Sequence, residues 1–163
     1  MEKSRILDFL KKNKAGSFYF KAQVDEWIKD TLHLDSNDYE LLLIKDNGRK
    51  DPVFEIDVFH RDVNLMDFPE EQLPDFIQFK QVGGNFLCAY SHLTSTKGFP
   101  RVVDLSFDCS SSALTSLEGM PETINRDFIC REMPFTEEDI RANIHVSGKV
   151  LNNYNQRSVP KIR

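Results

Sequence analysis

Three cysteines, Cys88, Cys109 and Cys130, are the first residues whose type and spacing could do chemistry, since they recur every 21 residues. A structural zinc site wants four close ligands, usually in paired C-x-x-C spacing. One thiol per 21 residues does not supply that set. A nucleophilic thiolate wants a basic neighbourhood, and only Cys130, beside Arg131, has a cation next to it. The expectation is therefore buried thiols acting as small apolar groups. His60-Arg61-Asp62 echoes the catalytic loop of protein kinases. The asparagine that such a loop requires is replaced by Asp67, and no glycine-rich loop accompanies it. His33, His60, His92 and His145 are scattered, and no G-x-S-x-G or G-x-G-x-x-G run exists. Ser110-Ser111-Ser112 and Val82-Gly83-Gly84-Asn85 read as turns. No catalytic residue, metal site or cofactor is expected.

What positions the cysteines is a repeat. Gly84-Asn85-Phe86-Leu87-Cys88 returns as Leu105-Ser106-Phe107-Asp108-Cys109 and as Arg126-Asp127-Phe128-Ile129-Cys130. Leu93-Thr94-Ser95 matches Leu114-Thr115-Ser116, and Gly98-Phe99-Pro100 matches Gly119-Met120-Pro121, in the same register. Val82, Val103 and Ile124 also stand one period apart. A period of this length with apolar positions at fixed offsets predicts a solenoid whose units bury their apolar faces only by stacking. Alternation along a strand puts both outer residues of Phe-x-Cys on one side. Phe86, Phe107 and Phe128 should form one interior column, and Cys88, Cys109 and Cys130 a second. Leu93 and Leu114 begin a third, while Gly98 and Gly119 mark the bends.

The run F-x-C-x4-L-T-S-L-E-G-x-P resembles the short leucine-rich-repeat-like arrays in proteins of large tailed phages, T4-like ones included. The likeness covers residues 82–146, and Phe135-Thr136-Glu137-Glu138-Asp139-Ile140 resembles the helix that often ends such arrays. One departure stands out. Ser91 and Ser112 occupy the positions where these repeats usually carry asparagine, so an asparagine ladder is not expected. The resemblance implies a non-enzymatic, phage-encoded effector in the host cytosol that binds a host protein. Its target would be an enzyme such as a nuclease, a protease or RNA polymerase, which it would modulate or inhibit.

Outside the repeat, Ser4 can cap a helix over residues 5–13, stopped by Gly16. A second helix is expected over residues 21–32, with Val24, Trp27, Ile28 and Leu32 on one face. After a turn at Asp35-Ser36-Asn37-Asp38, strands over 39–45 and 53–59 should form a hairpin across Asp46-Asn47-Gly48. Asn64-Leu65-Met66-Asp67 stands one period before Asn85-Phe86-Leu87-Cys88, as a degenerate first rung, with residues 68–79 as its irregular turn. Thr136, with Asp139 three residues on, starts a short helix to Asn143, and Ile144-His145-Val146 reads as a closing strand. The fold class is thus α+β: a helix-and-hairpin lobe (1–62), a short capped array (63–150) and a polar tail (151–163).

The net charge of −5 argues against general affinity for nucleic acid and leaves room only for a local basic patch. No apolar run reaches the length of a membrane span, and residues 1–14 lack the apolar core of a secretory signal. With an odd number of thiols, this fits a reducing cytoplasm. The residues left to act are those projecting from the rungs. Tyr90, His92, Phe99, Arg101 and Arg131 are the protein-binding candidates, with Met120 among the other projecting positions. A rival reading is a nucleic-acid- or RNA polymerase-associated transcription regulator that uses Arg101, Arg131 and the basic tail. A small enzyme with a pocket around His60 and Asp62 is a third. An exposed edge strand would also allow two copies to pair.

Overall fold

The computed structural model describes residues 15–44 and 53–153. The helix expected at 5–13, the Asp46-Asn47-Gly48 turn and the tail beyond residue 153 lie outside the described residues. The chain opens with helix α1 (Ala15–Trp27), which runs into a π-helical turn, Ile28–Leu32. Gly16 lies inside α1. Phe20, Val24, Ile28 and Leu32 are buried, which fits one apolar stripe at helical spacing, and Trp27 is half-buried against the same core. His33, at φ +56°, ends the helical run in the left-handed region.

Strands β1 (Tyr39–Ile44) and β2 (Val53–Val58) pair antiparallel, with Leu41 opposite Ile56. From there the chain coils. Strands β3 (Val63–Asn64), β4 (Ile77–Val82), β5 (Phe86–Leu87), β6 (Val102–Val103), β7 (Phe107–Asp108), β8 (Thr123–Ile124) and β9 (Phe128–Ile129) alternate between two sheets. Helix α2 (Glu137–Asn143) interrupts before β10 (His145–Val146) and β11 (Val150–Leu151). One sheet runs β1-β2-β4-β6-β8-β10 and the other β11-β9-β7-β5-β3, all parallel except the β1–β2 pair. Among the described residues this is a parallel β-solenoid of about four turns with two helices packed on it.

The expected columns form. Phe86, Phe107 and Phe128 have no exposed surface, and neither do Cys88, Cys109 and Cys130. Phe86 stacks on Phe107 with ring centroids 5.6 Å apart, and the Phe128 ring lies 5.3 Å from Phe107, tilted by 32°. Those spacings are close to the roughly 4.8 Å between neighbouring strands. Each such buried ring contributes about 1.5–3 kcal/mol relative to an exposed one. Leu93, Leu114 and Phe135 line the return side.

The first rung is real, but its register differs from expectation. Val63 pairs with Phe86 and Asn64 with Leu87, a step of 23, so Leu65 and not Asp67 lies beneath Cys88. The reason is length: the return segment between Leu65 and β5 carries two extra residues. Within it, Ile77–Val82 is a full strand and not turn, paired with β2 across an irregularity between Ile56 and Asp57. β2 thus pairs with both the hairpin strand β1 and the array strand β4. At the far end the chain continues past the strand at 145–146. Val150 pairs with Phe128 and Leu151 with Ile129, and Asn152 is buried with its Nδ2 donating to the Phe135 carbonyl at 3.2 Å.

Two features set the corners. Asp67, Tyr90, Ser111 and Glu132 all adopt left-handed backbone, φ +52° to +58°, two residues beyond Leu65, Cys88, Cys109 and Cys130 respectively. Such strain costs on the order of 1–3 kcal/mol per residue. It is offset by bonds between rungs: Asp67 N–H to the Ala89 carbonyl, Tyr90 N–H to Ser110 and Ser111 N–H to Arg131. Gly98 and Gly119 take φ +85° and +72° at the opposite bend, and a Cβ on Gly98 would meet the Ile77 carbonyl oxygen at 2.8 Å.

Candidate protein-binding surface

The residues just before the phenylalanine column form a ladder. Asp62 Oδ1 accepts the Asn85 N–H at 2.7 Å, and Asn85 Oδ1 accepts the Ser106 N–H at 2.9 Å. Ser106 Oγ accepts from Asp127 N at 3.3 Å, and Asp127 Oδ1 from Lys149 N at 2.8 Å. Each side chain therefore satisfies a backbone donor of the next rung, and the corner is held rigid. The array does have a polar ladder, at a position distinct from Ser91 and Ser112. Ser91 Oγ instead donates to the Cys88 carbonyl at 2.7 Å. His60-Arg61-Asp62 is likewise absorbed. His60 takes φ +52°, Arg61 pairs with Asp38 at 3.0 Å, and Asp62 serves the ladder. A backbone bond within the Asp35 turn, then Arg61, holds the Asp38 carboxyl below its ordinary value.

The thiols sit where a charge cannot form. Burial pushes the Cys130 thiol up to about 12, and burial likewise raises the Cys88 and Cys109 thiols above the ordinary range. Cys88 and Cys130, on the rungs to either side, add to the rise at Cys109. All three are unpaired as disulfides. Among the described residues no group of three or more His, Cys, Asp or Glu is arranged to hold a metal ion. Also among them, no helix is long and apolar enough to cross a membrane.

The projecting candidates separate. Tyr90 is 58% exposed, on a backbone pinned from the next rung. His92 is exposed beside it, with Nδ1 3.2 Å from the Pro69 carbonyl oxygen. Arg131 is exposed two rungs along the same corner, its N–H donating to Ser110 Oγ at 3.1 Å. Arg101 lies just before β6 on the other sheet, where Nε and Nη2 each lie 3.1 Å from the exposed Glu122 carboxylate. Phe99 is not a surface residue: it is 4% exposed, with its ring 5.1 Å from Phe86 and 6.1 Å from Phe107. Met120, one rung on at the same bend, is buried too. The glycine turn directs both side chains into the core, where an aromatic or thioether fills space between rungs.

Leu42, Leu43, Phe59 and Met66 are exposed apolar residues that the sequence did not mark, and Met66 lies nearest the candidates. Met66, 43% exposed, projects at the Tyr90 corner. Its neighbour Asp67 bonds to Ala89, which places Met66 on the rung beside Tyr90. The first rung's longer step could have been found in the sequence by aligning Leu65, and not Asp67, with Cys88. No protein-family model matches the chain, and neither curated proteins nor solved structures give a match.

Proposed function

We propose that this chain is a non-enzymatic binding scaffold that engages a protein partner through the corner carrying Met66, Tyr90, His92 and Arg131. The supporting observation is Tyr90. A large amphipathic ring stands in water on backbone that two neighbouring rungs hold in place, so little freedom is lost when it is covered. Tyrosine and arginine are the residue types that dominate interface energies, and a thioether beside them adapts to a partner's contour. The resemblance to arrays of large tailed phages supports a host protein as the target, with modulation or inhibition of a host enzyme as the outcome. In that reading, α2 and the last rung close the far end of the array.

The test is capture from host lysate with mass-spectrometric identification, using wild-type protein and a Tyr90→Ala/Arg131→Ala variant. The variant is expected to lose the captured protein while its melting curve stays within about 0.5 kcal/mol of wild type, as surface changes do. Equal capture by the variant would remove this corner from consideration.

A further inference from the structure

A separate surface lies where α1 and its π-helical turn face the long return segment of the first rung. Residues on both sides line a groove of about 1080 Å³. Trp27 and Phe76, each half-buried, and Phe68 give it an apolar wall. Asp30, Glu70 and Glu71 stand exposed around it, and no ion-pair partner for these three is found among the described residues. Asp75, also at the rim, is taken up by Lys97 at 2.6 Å.

The return segment is held open by the next rung. His92 N–H donates to the Phe68 carbonyl at 2.9 Å and Thr94 N–H to the Glu71 carbonyl at 2.8 Å. Ile77 N–H donates to Pro74 at 3.0 Å, and Phe54 N–H to Phe76 at 2.9 Å. Pro69 and Pro74 stiffen the segment further. A preformed apolar groove loses little freedom when filled. Carboxylates crowded at its rim favour a cationic occupant and disfavour an anionic one.

We propose that this groove takes an extended basic peptide of a partner protein, with an apolar side chain against Trp27 and Phe76 and lysine or arginine flanking it. The site goes beyond the Tyr90 corner and stands or falls independently of it. Trp27 is the only tryptophan in the chain, so its emission reports occupancy directly.

The experiment probes the full chain with an array of twelve-residue synthetic peptides of random sequence. The strongest binders are then titrated while Trp27 fluorescence is followed. Peptides with an apolar residue between basic ones should be enriched and should change the emission saturably, with affinity falling as salt rises. Glu70→Lys/Glu71→Lys should weaken them about tenfold or more, whereas the charge-matched Glu118→Lys/Glu138→Lys should not. If melting shows the reversal variant misfolded, the neutral Glu70→Gln/Glu71→Gln pair carries the comparison. The proposal is overturned by an array without that enrichment, by equal binding to peptides whose apolar residue is alanine, or by equal losses in both charge variants.

Discussion

At the scale of single residues, the thiols show how position decides chemistry. A cysteine can be a ligand, a nucleophile or a small apolar group, and the choice turns on whether its anion is tolerated. Here burial raises all three thiols, so the protonated form is the one the fold holds. Because their folded values lie above the ordinary 9.0, their contribution to stability is complete below that pH. It is lost as pH rises beyond it, since only the unfolded chain then releases the protons. Thermal melts should therefore show stability falling from pH 8 to pH 10. Raised by burial and by the Asp25 carboxylate that accepts its hydroxyl at 2.7 Å, Tyr39 adds in the same direction above its own ordinary 10.0. In the same melts at neutral pH, Cys109→Ser should cost about 1–3 kcal/mol, because a hydroxyl loses its water in an apolar column. Unchanged curves would show that the column is wet.

Within the elements, all the strands but β1, β2 and β4 are only two residues long and owe their order to the corners. The ladder Asp62–Asn85–Ser106–Asp127 explains why three kinds of polar residue serve one position, since each supplies an oxygen to the next backbone N–H. Replacing Asp127 by Ala leaves the Lys149 N–H without its acceptor at 2.8 Å. That change should cost about 1 kcal/mol and speed amide exchange at Lys149. Exchange at Lys149 unaltered in the variant would mean water replaces the bond without loss. Helix α2 shows local chemistry acting as read: Thr136 Oγ1 accepts the Asp139 N–H at 3.1 Å, and the helix ends at Asn143.

For the molecule as a whole, stability should be distributed along the coil, because each rung contacts only its neighbours. Phe107 and Cys109 have a rung on both sides, whereas among the described residues Val150 and Leu151 pair on one side only. Native-state hydrogen exchange should be slowest at the central amides and roughly 10- to 100-fold faster in the last rung. Uniform exchange would mean the coil opens as one unit. The two proposed interaction surfaces also belong to this scale. The Tyr90 corner is made by four rungs, and the groove beside Trp27 by residues more than forty positions apart in sequence.

The 21-residue echo by itself determined the solenoid, its phenylalanine and cysteine columns and the glycine bends, and Thr136 with Asp139 determined where α2 starts. Each follows from side-chain periodicity or from a hydrogen bond within a few residues. The first rung's register, the strand at 77–82, the rung after α2 and the inward turn of Phe99 were decided only by the tertiary structure. Those depend on how long each return segment is and on what space the neighbouring rung leaves. Phe99 is an ordinary turn residue until Phe86 and Phe107 are stacked beside it, and then the gap between them is its place. The groove likewise needed the assembled coil, because its aromatic wall and its carboxylates come together only when the return segment packs beside α1.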